Sequence, residues 1–136
     1  VAILAQIALG GLVAGSKAGF TYNTWPLMDG EFMPGTAKLF VVKAFWENFV
    51  DNPTLVQFNH RMGAYLVLAL ALWHAIAARG TGLSRRAWHL VALVFAQGVL
   101  GIVTLLLIVP LWAGLAHQAL ALLVLAYAVS HAVKAG

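Results

Sequence analysis

The sequence predicts an all-α membrane protein: a four-helix transmembrane bundle with a long extracytoplasmic loop that carries a short amphipathic helix. Three observations predict it. Of the 136 residues 62% are hydrophobic and only 9% are charged, where a soluble domain carries about 25% charged residues. Mean hydropathy is +0.91. Four apolar stretches of near-membrane length recur along the chain, and one long segment, from Ser16 to about Asn52, separates the first two and opens with a stretch rich in turn formers. Residues 1–136 therefore read as one bundle domain.

The first span runs from Val1 to about Gly15. A bilayer crossing needs roughly 20 apolar residues, so this span is expected to be clipped at its start, and the chain to be a piece of a longer protein. Gly11 and Gly15 form a GxxxG pair, which permits close helix contact but is also frequent in any glycine-rich membrane helix. The second span runs from about Thr54 to Ala78, with Asn52 able to cap it and Pro53 suited to its first position. The third covers about Ala87 to Val109 and is ended by Pro110. The fourth covers about Leu111 to Val133. So short a link makes the last two spans an antiparallel pair.

Between spans two and three lie Arg79, Arg85 and Arg86 with no acid, and Lys134 follows span four on the same side. Basic residues near span ends favour the cytoplasm. Both termini are thus expected in the cytoplasm and the long loop outside. The first part of that loop holds Asn23, Pro26, Asp29, Gly30, Pro34 and Gly35, all turn formers. Its second part, Ala37 to Val50, has a helical pattern: Leu39, Val42, Phe45, Trp46 and Phe49 share one face, opposite Lys43, Glu47 and Asp51. That pattern predicts a short helix lying at the membrane interface as a lid. Trp25, Trp46 and Trp112 suit the headgroup level.

Composition excludes several classes of function. Without cysteine there is no disulfide, thiolate heme ligation, iron–sulfur cluster or c-type heme attachment. The net charge of +4 comes from scattered basic residues, so no nucleic-acid surface forms. No carboxylate lies inside a span, which disfavours a proton relay or a carboxylate metal site. No HExxH, P-loop or GxSxG string occurs.

The histidines carry the positive signal. His60 and His74 are fourteen apart on span two, as are His117 and His131 on span four. Fourteen residues make about 3.9 turns and about 21 Å of rise, so each pair shares roughly one face. Spans two and four run in the same direction and would be diagonal in a bundle. His60 and His117 are then level near the outer end. Two imidazoles at matching depth are what a six-coordinate heme iron needs; the alternative is a pair of hydrogen-bonded core histidines. Gly63 and Gly114 each lie one turn from their histidine, and Gly98 and Gly101 thin span three, so a flat macrocycle could approach. Arg61 sits where heme propionates would emerge, and arginine suits bidentate carboxylate recognition; snorkelling to the headgroups is its other reading. His74 and His131 could hold a second heme or be solvated at the inner interface, and His89 reads as an interface residue.

Beyond these residue-by-residue readings, three strings resemble the second half of the heme A synthase family, in its proteobacterial and mitochondrial form. They are Gly10–Gly15 with Lys17–Phe20 and Tyr22–Gly30; Asn52–Pro53 with Val56–Arg61; and Gln97–Thr104 with His117–Gln118. The resemblance implies an eight-helix enzyme of two similar four-helix bundles, set in the bacterial inner membrane. That enzyme oxidises the C8 methyl of heme O to the formyl of heme A for cytochrome oxidase. It implies that His60 and His117 ligate a heme b, around which the spacing read above sets Arg61, Gly63 and Gly114. It also implies heme O bound mainly by the other half, and heme O synthase and oxidase assembly factors as partners beside membrane lipid. The first half of such proteins usually has a glutamate three residues before its His-Arg pair, proposed to act in the chemistry. Here that place holds Gln57, so no catalytic residue is expected in this chain. Two rivals stand beside this reading: a diheme b-type electron-transfer cytochrome, and a heme-free assembly bundle.

Overall fold

The computed structural model describes residues 1–134. Six α-helices and no strand occur among them: α1 (Ala2–Gly15), α2 (Thr36–Leu39), α3 (Asn48–Asp51), α4 (Pro53–Ala77), α5 (Ser84–Leu106) and α6 (Leu111–Val133). The four long helices pack in sequence, α1 on α4, α4 on α5 and α5 on α6, while α1 meets α6 more sparingly. The segment between α1 and α4 and the turn between α5 and α6 lie at one end, the loop end. The α4–α5 link with Arg79, and the first turn of α5 with Arg85 and Arg86, lie at the other, the arginine end.

Of these helices, α5 and α6 are long and apolar enough to cross a membrane. Only 17% and 11% of their apolar windows are buried, so most of that surface faces outward, where only lipid or another apolar chain would suit it. At 25 residues α4 spans about 37 Å, but Gln57, Asn59, His60 and Arg61 fall within its first three turns and dilute its apolar character. The fourteen residues of α1 are apolar but for Gln6 and fall short of a full crossing.

At the arginine end the bundle is tightly filled. Ala71, Ala75 and Ala78 recur at helical spacing on one face of α4 and lie against Ala87, Leu90, Val91 and Val94 of α5 and Val124 of α6. Small side chains on that face let the axes approach closely. At the loop end no such cluster exists among the described residues, and the helices enclose a cavity instead.

Helix boundaries follow from caps. Asn52 accepts a hydrogen bond from Thr54 N at 3.0 Å, and Pro53 occupies the first turn, as the sequence predicts. Its side-chain amide also donates to the Lys38 and Leu39 carbonyls, at 3.0 and 2.8 Å, which ties the loop to α4. Three residues separate α5 from the predicted end of its span at Val109. Val109 N donates to Thr104 O and Ile108 N to Leu105 O, the 6→1 and 5→2 pattern that closes a helix. Ile108 takes the left-handed position usual for glycine, at φ 60°, and Val109 follows at 51°. From the loop, Asn23 Nδ2 donates to Leu105 O at 3.0 Å, pinning the loop to this turn.

The predicted amphipathic helix over Ala37–Val50 is not formed as one element. The chain makes α2, an irregular stretch, a 3-10 turn at Phe45–Glu47, and α3. Asn48 is the reason: its buried side chain accepts from Val42 N at 2.9 Å and donates to the Val42 carbonyl at 2.9 Å. Side-chain bonds of this kind offer the backbone an alternative to the helical ladder. Leu39 is buried while Phe45, Trp46 and Phe49 stay exposed, with Phe45 meeting the other two rings edge to face. The GxxxG pair is not a contact either. A methyl group on Gly11 or Gly15 would meet nothing within 4 Å.

Two stability changes follow. Asn52→Ala removes a cap and two loop bonds at once, and lowers unfolding stability by about 1–3 kcal/mol in a thermal melt of the detergent-solubilised protein. Ile108→Gly relieves a β-branched residue in the left-handed region and raises stability by about 1 kcal/mol in the same melt.

Candidate functional site

The cavity at the loop end measures about 970 Å³ and is bounded by α1, α4, α5 and α6. That is the upper end of the roughly 300–1,000 Å³ of small-molecule sites. Its walls are mostly apolar. His60 on α4 and His117 on α6 both line it, so the two histidines that the sequence singles out meet one space from helices that lie across the bundle from each other. Lys17 and Arg61 line it as well, and no Asp or Glu does.

Each histidine is held by a glutamine from the neighbouring helix. Gln6 Nε2, on α1, donates to the His60 carbonyl at 2.9 Å and lies 3.1 Å from His60 Nδ1. Gln97 Nε2, on α5, donates to the His117 carbonyl at 3.0 Å and lies 3.2 Å from Nδ1 and 3.4 Å from Nε2 of that ring. Both glutamine Oε1 atoms are buried without a partner among the described residues. The His60 ring rests with its Cε1–Nδ1 edge on Gly10, and the His117 ring lays its Cε1 edge against Gly101. His60 thus leaves Nε2 free of protein bonds among the described residues, whereas His117 offers both nitrogens to Gln97.

Arg61 is buried, so it does not snorkel. Its Nη2 donates to Tyr22 O at 3.0 Å and its Nη1 to Leu27 O at 3.4 Å. Gln57 donates to the same Tyr22 carbonyl at 3.1 Å. These side chains bolt the loop across the mouth of the cavity. Arg61 Nε remains buried and unpartnered among the described residues, and a guanidinium has five donors in all, so donors remain for an acidic ligand.

The glycines divide in a way that spacing did not indicate. Gly98 and Gly114 line the cavity with nothing within 4 Å of an added methyl group, which leaves the space a flat ligand needs. Gly63 does not line it. An added methyl there would collide with Gln6 Oε1, so its missing side chain makes room for the glutamine and not for a macrocycle. Gly101 serves His117 in the same manner.

At the arginine end, His74 Nε2 and His131 Nε2 are bonded directly at 2.7 Å, with rings at 80°. An iron between two imidazole nitrogens would hold them about 4 Å apart, at about 2 Å per metal–nitrogen bond. Neither ring lines the large cavity. His89 is exposed at the start of α5, in keeping with an interface residue.

Sequence spacing singled out the histidines and missed Gln6 as their brace; Gln97 entered only as part of a string. A signal was present. Ala-Gln-x-x-Leu-Gly occurs twice, at 5–10 and 96–101, and in both copies the glutamine binds a histidine and the glycine one turn later receives its ring.

An apolar slot with an imidazole on each wall and two cations but no acid suits a flat, largely apolar ligand that carries acidic groups and takes a nitrogen on each face. Comparison with known proteins places the chain in a family. The family model COX15-CtaA, described as cytochrome oxidase assembly protein, matches residues 1–129. The heme A synthase of Methylobacterium sp. (strain 4-46) is 65% identical over 136 residues, covering 97% of this chain and 38% of its own length. That of Methylobacterium nodulans is 59% identical, covering 96% and 37%, and that of Beijerinckia indica 55%, covering 96% and 38%. The chain therefore spans well under half the length of these relatives. No solved structure matches it significantly.

Gly101→Ala sets a methyl carbon 2.8 Å from His117 Cε1, and lowers stability by about 1–3 kcal/mol. Gly114→Ala meets no atom within 4 Å and gains up to about 1 kcal/mol from helix propensity. Thermal unfolding of the ligand-free protein reads both, and a reversed order contradicts the packing described here.

Proposed function

The chain belongs to the COX15-CtaA family of cytochrome oxidase assembly proteins, and from that premise we propose that it is the C-terminal, heme-b-holding half of a heme A synthase. The whole protein would oxidise the C8 methyl of heme O to a formyl group, with heme O bound mainly by the other half. In this reading α1, α4, α5 and α6 are four transmembrane helices of a single bundle domain. His60 and His117 would hold one heme b, Gly98 and Gly114 would leave room for it, and Arg61 and Lys17 would pair with its carboxylates.

One observation carries the proposal: two histidines on diagonal helices line a single cavity of about 970 Å³ that is otherwise mostly apolar. The orphaned Arg61 Nε and the absence of acids from the lining support an anionic edge at the loop end. The iron would supply one-electron chemistry. The chain's own residues bind it, orient it and exclude water. Gln57 stands where a catalytic glutamate is expected in the other half and donates to a loop carbonyl, so no catalytic residue is assigned to this chain.

Arg79, Arg85 and Arg86 favour a cytoplasmic arginine end, which puts the loop in the periplasm of a bacterial inner membrane. Exposed Trp46 and Trp112 near the loop end fit the headgroup level. A diheme cytochrome is disfavoured by the direct bond between His74 and His131.

In the full-length protein, His60→Ala or His117→Ala removes one bis-histidine b-type heme from the absorption spectrum and lowers the heme-to-protein ratio, whereas His74→Ala leaves both unchanged. A His60→Ala protein with wild-type heme content and spectrum overturns the assignment.

A further inference from the structure

The bundle contains the same device twice. On α1 and α4 the parts are Gln6, Gly10 and His60; on α5 and α6 they are Gln97, Gly101 and His117. The glutamine and glycine lie four residues apart in both copies, inside the repeated Ala-Gln-x-x-Leu-Gly string. The glutamine-to-histidine separations along the chain are very different, 54 and 20 residues. The spatial arrangement recurs despite that difference, so it does not follow from chain connectivity.

The orphaned amide oxygens give the device a direction. Each glutamine turns its Nε2 toward Nδ1 of the ring and leaves its Oε1 buried and unbonded. An Nε2 that donates to Nδ1 requires the ring proton on the other nitrogen. A ring that ligates a metal through its Nε2 has the opposite need: its proton sits on Nδ1 and must be given to an acceptor. No other side chain bonds either Nδ1 among the described residues. An acceptor is at hand in the unpartnered Oε1 of the same amide. A buried acceptor without a partner is costly, and rotation of the amide would supply its partner when the ring proton moves to Nδ1, in exchange for the bond that Nε2 now makes to the histidine carbonyl.

We propose that Gln6 and Gln97 are paired positioning residues for the axial histidines. Each holds its imidazole when no ligand is bound, and turns its amide oxygen to Nδ1–H when Nε2 engages iron. The inference rests on the heme reading given above. It adds that the two axial ligands are set by equivalent braces on opposite faces, and that their basicity, and so the heme potential, is tuned from α1 and α5. His60 already stands with Nε2 free, while His117 must turn its ring away from Gln97 to do so.

The test uses full-length protein carrying Gln6→Leu, Gln97→Leu or both, with Gln6→Met and Gln97→Met as near-isosteric second variants should a leucine not fold. Heme affinity, the midpoint potential and the low-spin EPR signature are the readouts, beside the melting temperature of the ligand-free protein. Each single variant is expected to weaken heme binding about 10-fold or more, and to raise the midpoint potential by making its histidine a weaker donor. The double variant gives roughly the product of the two losses, since the braces act on separate ligands. Gln6→Glu, a permanent acceptor, restores retention and moves the potential below that of the leucine variant. Unchanged affinity, potential and EPR signals overturn the inference, as does a fall in melting temperature with no change in potential. Heme loss in His60→Ala beside unaltered glutamine variants sinks this inference alone; full heme retention in His60→Ala sinks the underlying heme reading.

Discussion

A neutral imidazole inside an apolar helix needs a polar partner, because an unbonded polar group there is costly. Here that need is met across helices, by Gln6 for His60 and by Gln97 for His117. The consequence is architectural. The α1–α4 and α5–α6 contacts are each fixed at a histidine, with glycines where the rings lie. The cavity is what remains between these two braced pairs once the alanine and valine seam at the arginine end has drawn α4 and α5 together.

The loop is the second constraint. It is held by side-chain amides and one guanidinium rather than by a long helix. Asn23 reaches the end of α5, Asn48 and Asn52 tie the middle of the loop to the start of α4, and Arg61 with Gln57 holds the Tyr22 carbonyl. Arg61 and Gln57 serve the loop and the cavity together, so the mouth of the cavity is shaped by the residues that line it. The exposed cluster of Phe45, Trp46 and Phe49 then stands outside this bolted region.

Glycine marks function here by what it accommodates. Gly10, Gly63 and Gly101 receive protein side chains, whereas Gly98 and Gly114 border empty space. Placing Gly63 and Gly114 in one class by their distance from a histidine was reasonable along the helix. It failed because helical spacing gives depth but does not tell which neighbour lies opposite.

What the sequence determined by itself was everything governed by local periodicity and composition. The helical class, the bounds of α1, α4 and α6 to within a residue and the Asn52 cap were legible because each depends on spacing along one helix. The end of α5 was misplaced, since a helix closed by left-handed Ile108 carries no glycine to announce it. The amphipathic pattern over Ala37–Val50 misled for a related reason: one buried asparagine outweighed an apolar face of a few residues. The short link already paired α5 with α6, but only the tertiary structure decided which glutamine met which histidine and where Arg61 placed its donors. Those outcomes depend on pairwise contacts between residues far apart in the chain, and periodicity within a single helix holds no record of the partner across the gap.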